Sequence, residues 1–148
     1  MQVKDIMTAA PACCTPDTPL EQVARLMVEN HCGLIPVVRD ENSRHLIGVV
    51  TDRDIVCRAL AQGCNPLELT TSECMTQPAV AIRPDATLDE CCEALERHLV
   101  RRLPVVDEQG NCCGIVAQAD IARAATQALT AEVVRAVSQP TEEPARIH

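Results

Sequence analysis

The tetrapeptide Thr51-Asp52-Arg53-Asp54 gathers a hydroxyl, a guanidinium and two carboxylates where an apolar run, residues 45–50, gives way to a helical pattern. A Thr at such a junction turns its hydroxyl, with the free N–H groups of the first helical turn, toward one spot, and a helix N-terminus is a ready anion site. The same residues also fit an N-cap with an acid at the third helical position, a variant of the capping box. The two readings are compatible, because a bound phosphate can stand in for a cap. A second basic group, Arg97, His98, Arg101 and Arg102, lies within one short stretch. The guanidinium fork matches phosphate oxygens. The competing reading of Arg101 and Arg102 is a strand edge kept soluble by charge.

These groups stand in a chain of 148 residues, 47% of them apolar, with a formal net charge of −8. The acidic balance argues against general binding of nucleic acid or anionic membrane, since phosphate backbones require a basic face. No apolar run reaches the roughly 18 residues of a membrane span, and the charged start MQVKDIMTAA does not read as a signal peptide. The expectation is a soluble, cytoplasmic protein. Phe, Tyr and Trp are all missing, which excludes an aromatic stacking platform. Any purine held here must lie between aliphatic side chains. The ten cysteines include adjacent pairs at 13–14, 91–92 and 112–113, which is not the C-x₂-C spacing of a zinc site.

The elements that position these groups occur twice. At an offset of 68, DIMT at 5–8 matches ECMT at 73–76, Leu20 matches Leu88, and PVV at 36–38 matches PVV at 104–106. At an offset of 66, Gly48, Asp54 and Ile55 match Gly114, Asp120 and Ile121. Such self-similarity marks a repeated structural unit. Each unit reads as strand, helix, strand, strand, helix. Short strands are expected at 12–15 and 79–82. Helices follow from two Thr-x-x-Glu capping boxes, Thr18-Pro19-Leu20-Glu21 and Thr87-Leu88-Asp89-Glu90, the first with Pro at the first helical position. Leu20, Val23, Ala24 and Met27, and in the second unit Leu88, Cys91, Cys92 and Leu95, recur at helical spacing. The strands LIPVV, RLPVV, HLIGVV and CCGIVA come next, and helices over 52–62 and 119–129 close the units. The alignment sets Cys74, Cys91, Cys112, Cys113, Cys14 and Cys32 opposite aliphatic residues of the other copy, so cysteine reads as a small buried hydrophobe. The pair His31-Cys32 is the one thiol–imidazole neighbour, and adjacent residues on a strand entry point apart.

This double β-α-β-β-α order, with Gly-h-h-Thr-x-x-Asp at the end of the third strand, resembles the cystathionine-β-synthase (CBS) domain pair, or Bateman module. The wording VVTDRDIVCRAL and HLVRRLPVVDEQGNCCGIV is especially similar to stand-alone bacterial CBS-pair proteins of the stress and hypoxic-response type. The resemblance implies an α/β fold, a tandem CBS-domain pair with pseudo-twofold symmetry: repeat 1 over 1–67, repeat 2 over 68–130, and a short helix and flexible tail over 131–148. It implies a homodimer and an adenine nucleotide (AMP, ADP or ATP) or S-adenosylmethionine as regulatory ligand, with no cofactor required. Each site then combines the Thr-x-x-Asp of one repeat with the first two strands of the other; the Asp takes the ribose hydroxyls and the Thr holds phosphate. The first site comprises Thr51, Arg53, Asp54, Thr76, Val80, Val100, Arg101 and Arg102. The second comprises Thr8, Cys14, Cys32, Gly33, Leu34, Ala117 and Asp120, and lacks the motif's hydroxyl and any nearby Arg, so it is the weaker.

Three functions compete. The leading one is a homodimeric nucleotide sensor acting on an unidentified target protein. The alternative is a ligand-free structural or interaction module of a stress response. An enzyme is the weakest reading, since no nucleophile–base pair, metal cluster or phosphate-loop motif stands in the sequence. In the tail, Ala131, Val133, Val134 and Val137 could form a short amphipathic helix at a dimer contact, while SQPTEEPARIH reads as a frayed end.

Overall fold

The computed structural model describes residues 1–138; of the frayed end expected over 138–148, Ser138 ends the last helix and the rest lies outside them. A 3₁₀ turn at Val3–Asp5 leads into β1 (Thr8–Ala9), α1 (Leu20–Asn30), β2 (Leu34–Asp40), β3 (Ser43–Thr51) and α2 (Asp52–Arg58). The second half repeats this with α3 (Leu88–His98), β4 (Arg102–Val106), β5 (Cys112–Ala117) and α4 (Gln118–Ser138). Each half centres on an antiparallel hairpin, with Val37 opposite Gly48 in β2–β3 and Val105 opposite Gly114 in β4–β5. No helix among the described residues is long and apolar enough to cross a membrane.

The leading segments are exchanged between the halves. Thr8 and Ala9 pair with Ile115 and Gly114 on the second sheet, while Thr76 bridges Val49 on the first. Upstream, the Val3 amide donates to Ala86 O (2.9 Å) and the Thr71 amide to Thr18 O (2.9 Å), two bonds related by the 68-residue offset. Cys74 and Met75 accordingly pack with Leu20, Val23 and Val50, whereas Val3, Ile6 and Met7 pack with Cys91, Leu103 and Val116. The repeated glycines permit the exchange. A Cβ on Gly48 would lie 2.6 Å from Thr76 O, and one on Gly114 would lie 2.5 Å from Met7 Sδ and 3.0 Å from Thr8 O.

Several expectations are corrected. The strands foreseen at 12–15 and 79–82 shrink to single parallel bridges, Cys14 with Val37 and Ile82 with Val105. Prolines at 11, 16, 78 and 84 flank them and deny the amides a longer ladder needs. Thr87 and Glu90 form their capping box, with the Glu90 amide donating to Thr87 Oγ1 at 3.1 Å. Thr18 does not cap α1: its Oγ1 accepts from the Thr15 amide, Pro19 takes the cap position, and Leu20 donates to Leu69 O. Ala24 is exposed, and Leu26 packs on the core instead. Helix α2 ends at Arg58 and continues only as a 3₁₀ turn over Leu60–Gln62. Helix α4 absorbs the separate tail helix, because residues 118–138 contain neither Gly nor Pro.

Candidate nucleotide site

The end of β3 and the start of α2 carry the Thr51 motif. The Asp54 amide donates to Thr51 Oγ1 and the Thr51 amide to Asp54 Oδ2, each at 3.0 Å, so the reciprocal cap is formed. Thr76 Oγ1, delivered by the exchanged segment, donates to Asp54 Oδ1 at 3.4 Å. Arg58 Nε stands 4.0 Å from the same oxygen. The Asp54 side chain remains 15% exposed. Its position is thus fixed by three neighbours while part of its surface stays open, as a preorganised acceptor requires.

That exposed edge opens on a cavity of about 710 Å³ between the halves, within the range of small-molecule sites. All eight residues read into the first site line it: Thr51, Arg53, Asp54, Thr76, Val80, Val100, Arg101 and Arg102. Gly33 and Leu34, assigned to the second site, line this cavity instead. They stand where β2 begins, and the Asp52 amide donates to Gly33 O at 3.0 Å, which ties that strand start to the Thr51 turn. Asp52 and His98, singled out in the sequence but assigned to neither site, also line it.

A second cavity of about 460 Å³ contains Thr8, Cys32, Ala117 and Asp120 from the expected set. Cys14 does not reach it. The Cys14 side chain is buried in the first-half core, and its bridge to Val37 turns it inward. Ala12 lines the cavity in its place and is the 68-residue counterpart of Val80. Asn30, the counterpart of His98, lines it too, so the offset already held this signal. The expectation that no Arg stands nearby is also corrected, for Arg102 and Arg123 both line the cavity. Arg123 Nη2 donates to Asp120 Oδ1 at 2.6 Å, one turn along α4, while the Ala117 amide donates to Asp120 Oδ2 at 2.8 Å. Asp120 thus keeps the carboxylate half of the capping box without the hydroxyl half, as Ala117 replaces Thr.

All ten cysteines are free. Cys14, Cys74, Cys91 and Cys112 are buried, Cys32 and Cys113 half-buried, and Cys57 and Cys64 exposed. Burial pushes the Cys14 and Cys91 thiols up to about 11. Cys13 and Cys112 meet across the two halves. The hydrogen bond from Cys112, and then nearby Arg44, hold the Cys13 thiol below its ordinary value, while the same contact and burial push Cys112 up. Cys32 Sγ donates to Leu34 O at 3.5 Å, a backbone partner and not the His31 imidazole. Among the described residues no three His, Cys, Asp or Glu side chains are grouped as metal ligands would be.

The CBS domain family matches the chain twice, over residues 3–60 and 72–126. The chain belongs to the CBS-domain family. As a CBS pair it is similar to Hypoxic response protein 1 of Mycobacterium tuberculosis, 34% identical over 137 residues covering 93% of this chain and 94% of that one. A crystal structure of Hypoxic Response Protein I with two coordinated zinc ions matches with a TM-score of 0.74 at 36% identity, covering 83% of this chain and 98% of that chain. CBSX2 from Arabidopsis thaliana in complex with AMP matches with a TM-score of 0.74 at 28% identity, over 86% and 98% of the two chains. The CBS domain pair of protein MJ0100 in complex with 5′-methylthioadenosine and S-adenosyl-L-methionine gives 0.73 at 28% identity, over 83% and 98%. The tandem CBS architecture and the α/β class expected from the repeat are borne out by these matches.

Proposed function

We propose that this CBS pair is a regulatory module, not a catalyst, that binds an adenine nucleotide or related adenosyl ligand in the larger cavity and works as a homodimer. The observation that carries the reading is the convergence, on one cavity, of a held, partly exposed carboxylate and three guanidinium side chains drawn from both halves. A carboxylate accepts from both hydroxyls of a ribose, and Arg53, Arg101 and Arg102 suit phosphate oxygens. Val80 and Val100, both partly exposed at the cavity wall, offer the aliphatic surfaces that a purine needs in a chain without aromatic rings. The AMP held by CBSX2 and the adenosyl ligands held by MJ0100 support the same ligand class. The signal would pass to a target protein as a change in how the two halves, each built partly from the other's leading segment, are held together.

A ligand-free interaction module is the second reading, and one observation favours it: Asp54 already serves Thr51 and Thr76. Titration separates the two. The chain has no Trp or Tyr, so nucleotide carried through purification dominates its ultraviolet spectrum. AMP, ADP, ATP and S-adenosylmethionine should be titrated calorimetrically. Asp54→Ala should weaken every ribose-containing ligand by roughly 1.5–3 kcal/mol, the cost of a lost charged hydrogen bond. Absence of binding by all four at millimolar concentration would leave the interaction module as the correct reading.

A further inference from the structure

Arg102 is the one basic residue that lines both cavities. It opens β4 opposite Ala117, the second half's counterpart of Thr51, so the strand that carries it runs along the partition between the two pockets. Among the described residues its side chain makes no hydrogen bond or ion pair, unlike Arg123, which Asp120 already holds. The 68-residue counterpart of Arg102 is Leu34, and the counterpart of Arg101 is Gly33. The pseudo-twofold arrangement therefore supplies a single guanidinium where symmetry would supply two.

We infer that the two cavities compete for the Arg102 guanidinium, so that a phosphorylated ligand in the larger cavity weakens phosphate binding in the smaller one. This inference rests on the nucleotide reading of the larger cavity. The larger cavity keeps Arg53 and Arg101 whether or not Arg102 turns toward it, whereas the smaller has only Arg123 besides, and that charge is neutralised by Asp120. The larger cavity therefore fills first, and the cost of sharing is read in the second step, at the smaller one. Coupling of this kind is reciprocal in free energy. Its size is that of one charge-assisted hydrogen bond, about tenfold or more in affinity. The regulatory consequence is a module that fills one site over a wide range of nucleotide concentration and the second only at much higher concentration.

Calorimetric titration with ADP, and with adenosine as a ligand without phosphate, tests this. The wild-type chain should bind ADP in two widely separated steps. Asp54→Asn, which disables the larger site while keeping a capping side chain, should tighten ADP binding at the smaller site about tenfold relative to the wild-type second step. Adenosine should show no such gain. Arg102→Gln added to Asp54→Asn should abolish the gain, because neither pocket then holds the shared cation; should Asp54→Asn unfold, Arg102→Gln alone should weaken the first ADP step about tenfold and leave the second unchanged, drawing the two steps together. ADP sites that titrate independently in the wild type, or a gain that survives Arg102→Gln, would overturn the inference alone. Failure of both ADP and adenosine to bind would instead overturn the nucleotide reading and the coupling with it.

Discussion

Each thiol in this chain takes its character from where its own side chain points. Cys14 and Cys91 are small apolar fillers whose ionisation is pushed up to about 11 by burial. A raised thiol pKa means that the fold holds the neutral form. Between about pH 9 and 11 the unfolded chain has lost these protons and the folded chain has not, so stability falls as pH rises through that window and levels off above it. At about 1.4 kcal/mol per unit, each thiol contributes on the order of 1–3 kcal/mol to the fall. Chemical denaturation at pH 8 and pH 11 with reductant present should show the loss, and Cys91→Ala should flatten it; an unchanged slope would place the alkaline sensitivity elsewhere. Native labelling should find Cys57 and Cys64 first, as both are exposed. The sequence announced the buried role through alignment against aliphatic partners. It misled at Cys14, where assignment to a cavity required a side-chain direction that a single parallel bridge decides.

At the scale of elements, the repeat was legible in the pattern of residues, whereas the exchange of leading segments was implied only by the family resemblance, which set Thr76 with Asp54 and Thr8 with Asp120. Period-two and helical patterns report which face of an element is apolar, and they placed all four long strands within a few residues of where they lie. They carry no information on which half receives Thr8 or Thr76, because both sheet edges present the same Gly-flanked register. Arg123 escaped for a related reason: its role depends on the second cavity lying beside the start of α4. The exchange makes Gly48 a point of vulnerability. A Cβ there would meet the Thr76 carbonyl at 2.6 Å, a backbone atom that cannot swing away. Gly48→Ala should therefore destabilise the protein by about 1–3 kcal/mol, the usual effect of overpacking. It should also displace Thr76 from Asp54 and so weaken nucleotide binding. A thermal midpoint equal to wild type would mean that the edge segment tolerates a shift.

The whole molecule leaves several large apolar side chains uncovered on its helices. Val56 and Leu60 near α2, and Leu129, Val133, Val134 and Val137 on α4, are each more than half exposed. On α4 the residues 129, 133 and 137 recur every four positions and share one stripe of the helix. A helix of 21 residues is about 30 Å long, and along its C-terminal half Leu129, Val133, Val134 and Val137 stay exposed. Isolated apolar side chains on a surface need no explanation, but a stripe continued over more than two turns of helix does. A second copy meeting the first through α2 and α4 would cover these side chains in both partners at once, as a twofold interface requires. Light scattering should accordingly give twice the 16.0 kDa of one chain. Val133→Glu together with Val137→Glu should shift the equilibrium toward monomer and lower the thermal midpoint in a concentration-dependent manner. Because each cavity in one chain is built from both of its own halves, the monomeric variant should still bind nucleotide. A concentration-independent mass of one chain in the wild type would show that this stripe faces something other than its own copy.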